Sequence, residues 1–286
     1  GKSKFAVQLA KKINGEIINA DSMQVYKELK IISARPLQKD SQNIKHHLYG
    51  FRYVKKNFST GDWLKLIDKK ISDLRNRKKI SILVGGTGLY FKALTNGLVD
   101  IPNIPIKFRA KIRSLHKKLG SKNFFSELVR LDPLVKNQIK SSDTQRCIRA
   151  YEVKLSTNKS IYNWYKNTKS NYEQKDFFKI YLDFPRNELL KRINLRAQEM
   201  IENGAVSEVK RFIKLRVPKD KTANKAIGIS EVKEYLNKKI DIEQVIEKIS
   251  IKTRQYAKRQ STWARGNMQN WNKMNPIQLK NFLKKF

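Results

Sequence analysis

Cysteine is almost absent: Cys147 is the single one in 286 residues. One thiol cannot close an internal disulfide, and it rules out Cys-rich structural zinc sites. The usage fits a reducing compartment, so a cytoplasmic protein is expected. Histidine is nearly as scarce, with three residues, and no Cys/His spacing suggests a zinc centre. No apolar run approaches the roughly 20 residues of a membrane span, so no membrane partner is expected. Internal repeats and low-complexity linkers are missing too. The largest deficit is of negative charge, since 25 Asp and Glu face 62 Lys and Arg.

That imbalance leaves a net charge of +37. A solvated surface does not need so much charge of one sign, and self-repulsion opposes it. A polyanion, most simply a nucleic acid, is the natural partner. A genome that favours Lys codons would leave the same excess. Hydrophobic residues make up 40%, enough to form a packed core.

The first half alternates helix and strand signals. Phe5, Ala6, Leu9, Ala10 and Ile13 have helical spacing over residues 2–14, and Gly15 sits where a C-cap would. A short apolar strand, EIINAD, follows. The stretch 61–77 is amphipathic and starts after the cap signals Ser59-Thr60-Gly61-Asp62. KISILVGG reads as a strand buried on both faces of a parallel sheet, and GLYFKALTNG as the helix after it. From about residue 103 the pattern becomes helical, behind the breakers Pro102 and Pro105. FFKIYLDF (177–184) restores a strand. Helical segments at 186–203, 205–215 and 227–265, the last broken near Asn237, complete the chain, with NWNKMN as a further short strand. The expected architecture is α/β: a P-loop NTPase-like parallel sheet flanked by helices, with an all-helical insertion. Residues 1–102 and 176–286 form the core and 103–175 the insertion.

Gly1-Lys2-Ser3 directly precedes the first amphipathic helix. This is the end of a phosphate-binding loop if a strand and a glycine half-loop precede it. Helix N-terminal amides and the helix dipole favour an anion there. Lys2 would reach phosphate oxygens and the Ser3 hydroxyl would ligate Mg²⁺. Asp21-Ser22 and Gly85-Gly86-Thr87-Gly88 each follow a strand, so parallel topology puts both on the same sheet edge as that loop. Taken singly, Asp-Ser is commonly a turn cap and the glycine run a tight strand-to-helix turn with Thr87 as its N-cap.

DSMQVY (21–26), VGGTGLYFKAL (84–94), DTQRCIRAYEV (143–153), KAIG (225–228) and RQYAKRQSTWAR (254–265) together resemble the tRNA dimethylallyltransferase family, bacterial type, over essentially the whole chain. ARP (34–36), HHL (46–48) and FSTGDW (58–63) fit as well. In that family the loop opens Gly-Pro-Thr-Ala-Ser, so the resemblance implies an earlier strand and half-loop before Gly1. It implies dimethylallyl diphosphate bound with Mg²⁺ at Gly1, Lys2, Ser3 and Arg196, and attack by an adenine N6. Asp21 matches the general base and Thr87 a residue of the reaction channel that touches the substrates. Asp21, Ser22, Met23 and Gln24 match the adenine site. The anticodon stem-loop of tRNA would meet Arg109, then Gln145, Arg146, Cys147, Ile148 and Arg149. It would also meet Lys225, Ala226, Ile227, Gly228, Ile229 and Ser230, and Lys258, Arg259, Gln260, Ser261, Thr262, Trp263, Ala264 and Arg265. Ile229 and Ser230 stand where the family often has an aromatic or basic residue, which predicts weaker contact there. A monomer is expected. Other readings are an adenylate isopentenyltransferase acting on free nucleotide, a P-loop kinase or ATPase, and a non-catalytic basic RNA-binding protein. No obvious Walker B carboxylate supports the kinase.

Overall fold

The computed structural model describes residues 1–286 and divides them into two compact units, Gly1–Ala93 with Gln174–Phe286, and Leu94–Glu173. In the larger unit α1 (Lys2–Lys12) buries Ala6, Val7, Leu9 and Ala10, and its last turn carries Lys11 and Lys12, which suit the negative end of the helix dipole. The cap differs from expectation. Asn14 takes the left-handed turn (φ 52°), and Gly15 instead opens strand β1 (Gly15–Asn19), buried along its whole length. Strand β2 (His46–His47) is too short to leave a periodic signal. Helix α2 (Thr60–Asn76) starts at Ser59, whose side chain accepts from the Asp62 amide while Asp62 caps back. Strand β3 (Ile80–Val84) follows, then α3 (Gly88–Asn96).

The strands form one parallel sheet in the order β2-β1-β3. β1 is the strand buried on both faces. Within residues 1–286, β3 pairs with β1 and is partly exposed. Trp63, Ile67 and Leu74 of α2 are fully buried, and Trp63 Nε1 donates to the Asn19 carbonyl at 2.9 Å. At the start of β1 the buried Glu16 carboxylate takes a bidentate pair from Arg77 (2.9 and 3.2 Å) and meets His47 Nε2 at 2.6 Å. Arg77 holds Glu16 well below the usual carboxylate range, at about 2, with His47 contributing. His46 Nδ1 lies 2.8 Å from the Ile44 carbonyl. Both histidines thus bond within the scaffold.

The smaller unit is helical: α4 (Ile106–Leu131), broken at Gly120 (φ 73°), α5 (Thr144–Thr157) and α6 (Ile161–Tyr165). Phe124, Leu128, Val135, Cys147 and Val153 form its core. It runs Leu94–Glu173, against the expected 103–175.

The chain re-enters the larger unit with β4 (Ile180–Leu182), α7 (Arg186–Glu202), α8 (Ala205–Lys214), α9 (Ile229–Leu236), α10 (Ile242–Asn267), β5 (Asn272–Met274) and α11 (Pro276–Leu283). β4 does not extend the main sheet; it pairs with β5 in a parallel ladder of their own. The break near Asn237 separates α9 from α10, whose new start is capped by Asp241. The second core of this unit packs Val25, Tyr26, Leu29 and Ile32 against Met200 of α7, Phe212 of α8, Val232 of α9 and Ile249 of α10. No helix is long and apolar enough to cross a membrane.

Candidate active site

Parallel pairing puts the ends of β1, β2 and β3 on one edge. The buried Asn19 amide ties them together. Its Nδ2 donates to the Leu48 and Asp21 carbonyls (3.0 Å each), and its Oδ1 accepts from the Asp21 amide at 2.9 Å. Ala20 N bonds Val84 O at 2.8 Å, and Thr87 N bonds Ala20 O at 3.2 Å. A Cβ on Gly85 would lie 2.0 Å from the Ala20 carbonyl, so only glycine permits this approach.

Asp21 is fixed by its own turn: Oδ1 accepts from the Met23 amide at 2.9 Å and, longer, from Gln24 at 3.4 Å. Thr87 Oγ1 accepts from the Ser22 amide (2.9 Å) and donates to Ser22 Oγ (3.3 Å). Gln24 Nε2 donates to the Ser33 and Ala34 carbonyls, at 3.0 and 3.1 Å. That loop is itself clamped by buried Glu208 of α8, whose carboxylate accepts from the amides of Lys30, Ile31 and Ile32 at 2.9 to 3.1 Å.

Two cations, Lys2 and Arg196, lie within electrostatic reach of Asp21. Lys2 and Arg196 both have accessible side chains, yet burial of their charged ends pushes both below their ordinary ranges, as in a crowded cleft still open to water. Asp21 opposes that drop in each, and Arg196 adds to it for Lys2. The hydroxyls of Tyr49, Tyr90 and Tyr256 are raised, by burial first, with the Asp21 charge contributing. Tyr90 stacks on Trp63 with centroids 4.4 Å apart. Gly1 and Ser3 lie at the exposed N-terminus of α1, where no side-chain cap occupies the helix start. Ser3 offers a hydroxyl at the start of α1 and Asp21 a carboxylate at the tip of β1, the hard oxygen donors suited to Mg²⁺.

Helix α10 closes the glycine loop. Gln260 Nε2 donates to the Gly86 carbonyl at 2.7 Å. A Cβ on Gly86 would come within 2.5 Å of that nitrogen and 3.5 Å of Asp21 Oδ2, and one on Gly88 within 2.4 Å of the Trp263 ring. Trp263 therefore packs on the loop while lining, with Gln255, Lys258, Arg259 and Thr262, an open groove of about 460 Å³. Lys258, Arg259, Thr262 and Arg265 are exposed, Ser261 is half-buried, and Ala264 is buried.

The expected RNA-contact stretches reach the surface only in part, because a helix shows one face at a time. Lys225 and Ser230 are exposed; Ala226, Gly228 and Ile229 are buried, and Ile227 is half-buried. In the smaller unit Gln145 and Arg146 are exposed, Ile148 and Arg149 half-buried, and Cys147 is in the core, its Sγ directed at the Lys140 carbonyl. The Cys147 side chain is thereby withdrawn from any RNA surface. Arg109 Nε bonds the buried Glu152 carboxylate at 3.2 and 3.4 Å, and Arg149 approaches it at 3.6 Å. Burial raises the Tyr165 hydroxyl, and Arg149 and Arg146 pull against that rise, so the ring lies among these cations. Asn19, Glu152 and Glu208 carry no sequence signal of their roles; single polar residues in apolar runs, as in IINAD, are the only hint.

These features define an α/β protein of the P-loop type, with a cationic crevice and one carboxylate at the strand tips. Residues 24–267 match the IPP transferase family, and the chain belongs to that family. It is 56% identical over 285 residues to the tRNA dimethylallyltransferase of Pelagibacter ubique, covering 100% of this chain and 91% of that one. Among solved structures it is similar to the full-length tRNA isopentenylpyrophosphate transferase of Bacillus halodurans, with 30% identity, a TM-score of 0.69 and coverage of 100% and 91%. A eukaryotic dimethylallyltransferase acting on tRNA gives 28% identity and a TM-score of 0.80, covering 96% of this chain and 71% of that one.

Proposed function

We propose that this protein transfers the dimethylallyl group of dimethylallyl diphosphate to N6 of the adenosine on the 3′ side of the anticodon, in tRNAs reading codons that begin with U. The observation that carries the reading is the convergence on one sheet edge of the Asp21 carboxylate, fixed by the Met23 amide, with the Ser22–Thr87 hydroxyl pair and the glycine loop, within electrostatic reach of Lys2 and Arg196. The relatives' names support it.

The N6 lone pair forms the new C–N bond to the allylic carbon as the C–O bond breaks, and that electron pair leaves with diphosphate. An aromatic amine is a weak nucleophile until it sheds its proton, which Asp21 accepts. Lys2, Arg196 and the α1 N-terminus hold the diphosphate and stabilise its growing charge. Bound at Ser3, Mg²⁺ would supply further neutralisation of the diphosphate. Thr87 holds Ser22 and so shapes the adenine side of the crevice. The target base must leave its stack to enter, and the exposed cations of α5 and α10 bind the anticodon stem-loop through phosphates and unstacked bases. The enzyme works as a monomer in the cytoplasm.

The test is transfer of labelled dimethylallyl diphosphate to an anticodon stem-loop RNA and, separately, to AMP. Product on the RNA alone is expected. Comparable turnover on AMP would favour an adenylate isopentenyltransferase, and no product on either would refute prenyl transfer.

A further inference from the structure

The smaller unit contains a carboxylate that its core does not need. Glu152 of α5 is 1% exposed, while the arginines it holds, Arg109 and Arg149, keep 41% and 38% of their side chains in solvent. Burying a carboxylate is costly, and well-packed apolar side chains usually stabilise a core better. Arg109 uses Nε for the bond, which leaves the terminal nitrogens of its guanidinium for another acceptor. Arg146 of α5 and the half-exposed Tyr165 of α6 continue the same cationic, aromatic surface.

We infer that Glu152 is a positioning residue for RNA: from inside the core it orients Arg109 and Arg149 so that their outer edges meet the phosphates of the anticodon loop. This rests on the RNA reading of the smaller unit proposed above. A fixed guanidinium loses less rotamer freedom on binding than a free one, which is where the affinity arises.

The proposal makes a prediction of opposite sign to simple electrostatics. Glu152→Gln removes a negative charge near a polyanion, so charge alone would tighten binding. Positioning instead predicts a Kd for an anticodon stem-loop RNA raised about fivefold or more, the order expected when one or two long side chains must be ordered on binding. In prenyl transfer the KM for RNA should rise with kcat at saturating RNA unchanged. Arg109→Lys keeps a positive charge beside the buried Glu152, so it guards against a variant that merely unfolds; it should lose most of what Arg109→Ala loses. With Arg109→Ala in place, Glu152→Gln should have little further effect. Tighter binding by Glu152→Gln, or wild-type affinity in Arg109→Lys alongside a clear loss in Arg109→Ala, would overturn the positioning role and leave the RNA surface standing. Unchanged affinity in Arg109→Ala would remove both.

Discussion

Replacing Asp21 with Asn separates its two structural tasks. The side-chain oxygen that accepts from the Met23 amide at 2.9 Å survives in Asn, so the turn after β1 keeps its geometry. The ability to take a proton is lost. A positioned general base contributes about 10²- to 10⁴-fold, roughly 3 to 5 kcal/mol of transition-state stabilisation, and kcat should fall by that factor. Affinity for the anticodon stem-loop should stay within a few-fold. Asp21→Ala also discards the turn bond and should lose about 1 kcal/mol more in folding stability, as loss of a cap does. A second readout follows from the charge. Asp21 partly offsets the lowering of Lys2 by burial and Arg196, so removing it drives the ammonium lower still. Diphosphate binding needs the protonated lysine and weakens as pH rises through that pKa, so the alkaline limb should move to lower pH in Asp21→Asn. Single-turnover transfer with labelled diphosphate, alongside RNA anisotropy titrations, measures both. A kcat within tenfold of wild type, or a loss confined to RNA affinity, would refute the assignment.

Glu16 titrates at about 2 when folded, so its pairing stabilises the fold above the ordinary carboxylate pKa of 4.5, and that contribution disappears as pH falls from there towards 2. Glu16→Gln should cost roughly 2 kcal/mol at neutral pH, allowing for a partly exposed Arg77, with the gap to wild type narrowing below pH 4.5 in urea titrations. A pH-independent gap would remove the ion-pair explanation. Gly88→Val pushes a side chain into the Trp263 ring and should cost about 1–3 kcal/mol in thermal melts while lowering transfer to RNA; unchanged activity would show that the ring gives way freely. Stem-loop affinity should fall linearly with log salt concentration, and a flat response would contradict the charge argument.

Reading residues in order recovered most of the helices and β1 because their signals are local, but it missed α11 (Pro276–Leu283). Ala6, Leu9 and Ala10 repeat at helical spacing, and Ser59 with Asp62 forms a self-contained cap. Asp21, Thr87 and the glycines converge by strand direction alone, which parallel topology supplies. What stayed hidden depends on distant partners. FFKIYLDF is a strand, but its partner lies some ninety residues on, at Asn272–Met274. Cys147 sits within DTQRCIRAYEV, between exposed Arg146 and half-buried Ile148, and the helical period turns it inward. The amide of Asn19 and the carboxylates of Glu152 and Glu208 read in sequence as ordinary polar residues, because burial is a property of the whole fold.

Helix α10 has an inner side, where Gln260 grips the Gly86 carbonyl and Trp263 rests on Gly88, and an outer side bearing Lys258, Arg259 and Arg265. One rigid rod therefore serves as both floor and handrail. A drift of this segment to suit a different nucleic acid would drag the catalytic loop with it. Changes in which transcripts are bound should accordingly arise by swapping outward-facing side chains, with the rod itself held still.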